Sequence, residues 1–187
     1  MTPSGLVVYA STHGQTGKIA RRVGEILVRE GLDAHVFELP REGPTPDPSS
    51  FDLVIAGGSV HGGHHHAHLV DWLRHHHSAL GLRPSAFFSV SLTAADDTDE
   101  ARAATRELID RLVEDTDWTP DETLAVAGAL EYREYDLPTR VLIRLIARRH
   151  GGSSDTSHDT EYTDWDAVER FASDVANRVV GEAARSA

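Results

Sequence analysis

The chain predicts an α/β fold: a doubly wound, five-stranded parallel sheet in the order 2-1-3-4-5, helices on both faces, and an extra basic amphipathic helix after the fifth strand. Three observations carry this expectation. Short apolar runs rich in β-branched residues alternate with stretches of helical periodicity along the sequence. The runs are continuous rather than alternating, as in strands buried on both faces. Helical stretches separate most successive strands, which calls for parallel strands joined by right-handed crossovers.

The elements follow in order. Gly5 to Ala10 (GLVVYA) reads as the first strand. From Gln15 to Glu30, Ile19, Ala20, Val23, Ile26 and Leu27 recur at spacings of three and four, and Gly31 supplies a stop. Residues 33–39 (DAHVFEL) form a second strand, the Pro-rich PREGPTPDPSS a connector, and 51–58 (FDLVIAGG) a third strand. A helix is expected from His64 to about Ala79, then a strand at 85–92, a helix at 99–115 and a fifth strand at 122–130. Residues 137–150 open on Pro138 and set Val141, Leu142, Leu145 and Ile146 on one side and Arg140, Arg144 and Arg148 on another, giving the basic amphipathic helix. A last helix spans 164–180, with Trp165, Val168, Phe171, Ala172, Val175 and Val179 facing the sheet.

Composition narrows the function. At 187 residues the chain reads as one domain, 1–187, with a core that needs no staple. No apolar run approaches the roughly 20 residues of a membrane span, and MTPSGLVVYAS lacks a charged n-region, so the cytoplasm is the expected compartment. With no cysteine there is no disulfide, thiolate nucleophile or cysteine-held cluster, and redox chemistry needs a borrowed cofactor. A formal charge of −12 disfavours nucleic acid as a partner. No Gly-x-Ser-x-Gly elbow follows a strand to suggest a hydrolase.

Ser11 to Gly17 (STHGQTG) sits between the first strand and the first helix, where an open α/β sheet binds its ligand. A helix amino terminus offers unpaired N–H groups and partial positive charge; Ser11, Thr12 and Thr16 add hydroxyls, and Gly14 permits close approach of an anion. The loop lacks Gly-x-Gly-x-x-Gly and the Walker Gly-Lys-Ser/Thr ending, which weakens dinucleotide and triphosphate readings. The plainer alternative is a capped turn whose hydroxyls serve only the helix.

This loop resembles the Ser-x-Thr-Gly-x-Thr phosphate loop of flavodoxins, with His13 where a Thr is usual. STHGQT (11–16), PSAFFSVSL (84–92), AGALEYREYDLPTRVLIRLIARRHGG (127–152) and DTEYTDW (159–165) together resemble one branch of that superfamily, the menaquinone-dependent protoporphyrinogen IX dehydrogenases. The resemblance implies a flavodoxin-like fold, FMN as cofactor, a porphyrinogen or other small reduced substrate, and menaquinone as acceptor. It implies that Ser11, Thr12, His13, Gly14, Gln15 and Thr16 cradle the phosphate. Ser59, Val60, His61, Gly62 and Gly63 would lie along the flavin ring, with Ser91, Leu92, Thr93 and Ala94 closing the other side. Flavodoxins usually sandwich the ring between aromatics, whereas SVHGG offers only His61 and SLTAADDTDE no aromatic. His61 is therefore the candidate catalytic, proton-handling or ring-contact residue. The segment after the fourth strand is acidic (Asp96, Asp97, Asp99, Glu100), where the family is basic.

Arg133, Arg140, Arg144 and Arg148, with Arg149, form a basic cluster suited to substrate carboxylates or to peripheral contact of residues 138–149 with an anionic membrane on the inner face of the cell membrane. The same helix has a structural reading, docking on the sheet or in a homodimer. His61 to His77 holds eight of the chain's 12 histidines. His64 and His68 share a face if both are helical, but two imidazoles do not complete a tetrahedral site, so no metal is expected. Competing functions are a flavodoxin-like quinone reductase fed by another donor, a one-electron carrier, and a metal-binding module.

Overall fold

The computed structural model describes residues 2–130 and 160–186. The order is β1 (Ser4–Ala10), α1 (Gln15–Arg29), β2 (Asp33–Glu38), β3 (Leu53–His61), β4 (His64–His65), α2 (Ala67–Leu80), β5 (Ser85–Ser91), α3 (Asp99–Thr116), β6 (Glu122–Ala127), β7 (Ala129–Leu130), β8 (Thr160–Glu161) and α4 (Trp165–Ser186). The main sheet runs β2-β1-β3-β5-β6, all parallel, which is the expected 2-1-3-4-5 when only the long strands are counted. The predicted helix 138–149 and Arg133, Arg140, Arg144, Arg148 and Arg149 lie outside the described residues.

The continuous apolar runs are explained by two separate cores. Along β1, Val7 and Tyr9 face a cluster built with Ile19, Val23 and Leu27 of α1 and Val168, Phe171 and Val175 of α4. The alternate residues Leu6, Val8 and Ala10 face Leu69, Trp72 and Leu73 of α2, Leu112 of α3 and Trp118. Because side chains alternate across a strand, a strand covered on both sides must be apolar at every position. The Pro-rich connector is tied down by Trp72, whose indole donates to the Pro46 carbonyl (3.3 Å), and by Arg83, which donates to the Pro48 carbonyl and, just beyond the connector, to that of Phe51 (3.1 Å).

Four boundaries differ by more than two residues from expectation. The third strand does not stop at Gly58 but runs on to His61, and the following helix starts at Ala67 rather than His64. Gly62 and Gly63 both take positive φ (59° and 81°), so the chain reverses in a two-residue hairpin and His64 and His65 pair back against His61 and Val60. The expected strand 122–130 is broken at Gly128: β6 ends at Ala127, and Ala129–Leu130 joins Thr160–Glu161 in a small antiparallel pair. The last helix runs to Ser186, past the expected end at 180.

Candidate functional site

The loop after β1 leads into an α-helix that no side chain caps. Gly14 occupies the N-cap in the left-handed region (φ 82°, ψ −18°), and no acidic residue lies in the first turn. Ser11 Oγ accepts from the Gly14 N–H (3.0 Å), and the first intrahelical bond runs from the Lys18 N–H to the Gly14 carbonyl (3.0 Å). The first N–H groups of an α-helix have no intrahelical acceptor and carry the positive end of the helix dipole. The capped-turn alternative therefore fails for α1. The arrangement suits an anion rich in oxygen.

Around this helix end the carboxyl ends of β1, β3 and β5 form a small cleft. Ser11, His13, Gln15 and Thr16 line it from the first loop and helix, and Ser59 and Val60 line it from β3. Val90, Ser91 and Leu92 come from β5, and Gly128 from the break after β6. The predicted residues outside this lining are Thr12 and Gly14 on the exposed rim, His61, Gly62 and Gly63 in the hairpin, and Thr93 and Ala94 in a short helical turn after β5. His61 approaches the first loop, its ring centroid 6.4 Å from that of His13. Ser91 Oγ accepts from the Ala94 N–H (3.2 Å) and so shapes the third loop.

Side chains fasten these loops together. Gln15 is buried, and its amide donates to Thr163 Oγ1 (2.8 Å), which donates to the Ala127 carbonyl (2.9 Å). Through these contacts the Gln15 side chain braces the first turn of α1 against the end of β6. His66 Nε2 lies 3.0 Å from both Thr12 Oγ1 and Ser59 Oγ. The acidic run after β5 is partly neutralised from within, since Arg102 pairs with Asp97 and, at 2.8 Å, with Asp99. Both pairs are exposed, so they moderate local charge more than they stabilise the fold.

The histidines behave differently from one another. His65 sits against the sheet, its Nε2 3.0 Å from Ser89 Oγ and its ring edge-on to Phe87 at 5.3 Å. Burial, with His66 and His64 adding, pushes its pKa down from 6.5 to about 4. The unfolded chain takes up this proton near 6.5 while the folded chain resists until about 4, so the stability involved is complete above 6.5 and is lost as pH falls through that window. Unfolding free energy is expected to drop by about 2 kcal/mol from this group between pH 7.5 and pH 5, read by urea titration. His65→Gln should flatten that slope. An unchanged slope would show that His65 is not buried as described.

The tract does not form the expected helical His64/His68 pair, because His64 lies in β4 and only His68 lies in α2. Among the described residues, no group of three or more His, Asp or Glu is arranged to hold a metal. Four contributors escaped the sequence reading: Val90, Gly128, Thr163 and His66. Val90, Gly128 and Thr163 carried a signal, lying within PSAFFSVSL, AGAL and DTEYTDW, and His66 carried none.

A family model described as a flavodoxin domain matches residues 6–157. A protoporphyrinogen IX dehydrogenase (quinone) of Leishmania major is 35% identical over 176 residues, covering 94% of this chain and 75% of the relative. The protein of the same name from Escherichia coli K12 is 32% identical over 172 residues, covering 92% of this chain and 94% of the relative. Among solved structures, a flavodoxin, a WrbA-like protein from Agrobacterium tumefaciens, superposes with a TM-score of 0.55 at 14% identity, covering 96% of this chain and 99% of that one. At that identity the likeness concerns the fold alone.

Proposed function

Because this chain belongs to the flavodoxin family, we propose that it is an FMN-dependent oxidoreductase that oxidises protoporphyrinogen IX to protoporphyrin IX and passes the electrons to a quinone. The observation that carries this reading is the uncapped amino end of α1, ringed by hydroxyls at the carboxyl ends of β1 and β3. It supplies what a phosphate monoester needs: converging N–H donors, helix-dipole charge and no first-turn carboxylate to repel it. The near end-to-end likeness to protoporphyrinogen IX dehydrogenases supports the substrate.

In this reading the N–H groups at the start of α1, with the hydroxyls of Ser11, Thr12 and Thr16, hold the phosphate. His13, Gly14 and Gln15 shape the loop. The backbone of 59–63 and of 91–94 borders the ring, with His61 the one aromatic ring in either stretch. FMN, when bound, would supply two-electron redox chemistry, and the six-electron oxidation of the porphyrinogen would take three such turns, with three quinones reduced. The chain's own task is to orient substrate and cofactor, and no protein nucleophile is required. His61, exposed at the hairpin, is available to handle protons leaving the substrate. We further read menaquinone as the acceptor and residues 138–149 as a peripheral contact with the inner face of an anionic membrane or with a second subunit. The cluster Arg133, Arg140, Arg144 and Arg148 on a chain of net −12 supports the membrane contact.

Anaerobic mixing tests the reaction. Protoporphyrinogen IX is expected to bleach the visible band of the FMN-loaded protein, and a menaquinone analogue to restore it. A flavin that the quinone reoxidises but the porphyrinogen never reduces would overturn the substrate.

A further inference from the structure

Thr12 from the loop after β1, Ser59 from β3 and His66 from the turn before α2 meet at one atom. His66 Nε2 lies 3.0 Å from each hydroxyl oxygen. His66 also stands at the N-cap of α2, where a Ser, Thr, Asp or Asn would ordinarily bond the helix's own N–H groups, and its side chain makes no capping bond. The ring turns to the two hydroxyls instead. The Gly62-Gly63 hairpin brings it there by folding the chain back over the end of β3.

A neutral imidazole nitrogen offers either one hydrogen or one lone pair. When Nε2 carries the hydrogen, Thr12 Oγ1 can accept it and keep its own hydrogen to give. Thr12 borders the uncapped start of α1, so an anion held there is the acceptor its hydroxyl would meet. The basic groups bearing on His66 are His68 of α2, Arg41 of the connector after β2, His61 of β3 and His13 of the first loop, and each disfavours a proton on its ring. Together with burial, the larger cause, they hold its pKa below the ordinary histidine value, so the ring is neutral at neutral pH.

Resting on the FMN reading above, we propose that His66 is the positioning residue of the phosphate loop. Its one N–H, shared between Thr12 Oγ1 and Ser59 Oγ, fixes the Thr12 hydroxyl as a donor toward the cofactor phosphate and ties that loop to the strand bordering the flavin ring. This role is specific to the phosphate, which gives it a distinctive test. Dissociation constants of FMN and of riboflavin, which lacks the phosphate, are measured by flavin fluorescence for the wild-type chain, His66→Ala, His66→Gln and Thr12→Val. His66→Ala is expected to weaken FMN binding about tenfold, the loss of one hydrogen bond to a charged group, while riboflavin binding changes little. His66→Gln, whose amide N–H reaches toward the same place, should recover most of that loss. Thr12→Val should match His66→Ala, and the double variant should lose no more than either alone. Equal losses for both ligands, or FMN affinity unchanged in His66→Ala and Thr12→Val, would overturn the positioning role. Thr12→Val and His66→Gln decide the matter if His66→Ala fails to fold. A wild-type chain that binds neither ligand would instead sink the FMN reading itself, and this role with it.

Discussion

Gly57→Ala is expected to lower the unfolding free energy by about 3 kcal/mol, the upper part of the range for overpacking a core. A Cβ at this position would lie 2.0 Å from Phe88 Cζ and 2.4 Å from both Cε atoms. Gly57 and Phe88 are register partners on β3 and β5, strands with neighbours on both sides, so neither strand can shift without disturbing the next. Phe88 is fully buried in the cluster that α1 and α4 cover, so its ring has no solvent to swing into. The glycine makes room for the phenyl ring, and the missing side chain and the large one form a single packing unit. Urea denaturation reads the effect. Gly57→Ala/Phe88→Leu should recover part of the loss, because the smaller partner relieves the clash. A cost for Gly57→Ala below about half a kcal/mol, the range of an innocuous surface change, would contradict the packing described.

Gly14→Val is expected to weaken FMN binding about a hundredfold, which is the loss of two hydrogen bonds to an anion. Here the reason is conformational. A Cβ at Gly14 meets nothing within 4 Å, so a clash cannot be the cause. The backbone sits at φ 82°, a region that β-branched residues almost never enter. A valine would leave that region, rotating the peptide units on either side and turning the N–H groups of the first turn away from the anion. The fold itself should lose only about 1–2 kcal/mol. Gly14→Asn, which tolerates left-handed backbone, should keep most of the affinity. Comparable FMN binding by Gly14→Val and the wild-type chain would mean that the phosphate does not sit on this loop.

Much of the architecture was legible because it follows from local rules. A run such as LVVYA is apolar at every position only if both sheet faces are covered, and the helical spacing of Ile19, Val23, Ile26 and Leu27 says which side of α1 does the covering. The first loop was legible because its place between β1 and α1 follows from chain order. What stayed hidden depends on where the chain turns. Gly62-Gly63 is a hairpin signal, but it stands before a tract whose later part is helical, and the helical pattern of Leu69, Val70, Trp72 and Leu73 was extended back over His64 to His66. Once the hairpin is placed, those residues separate into distinct roles. His65 packs beside Phe87, His66 reaches Thr12 and Ser59, and His68 alone begins along the helix. Sequence spacing cannot foretell that a histidine will meet a threonine 54 positions away. Nor could it foretell that Gln15 would use its side chain on Thr163, 148 positions on.

In the proposed complex FMN lies across the carboxyl ends of β1, β3 and β5 with its phosphate at the start of α1. Amide chemical shifts of isotope-labelled protein, followed through a titration with FMN, test it residue by residue. The largest changes are expected at residues 13–17, with further changes at 59–63 and 91–94 and little at the opposite end of the sheet. Shifts confined to residues outside these three stretches, or no saturable shift at all, would rule this placement out.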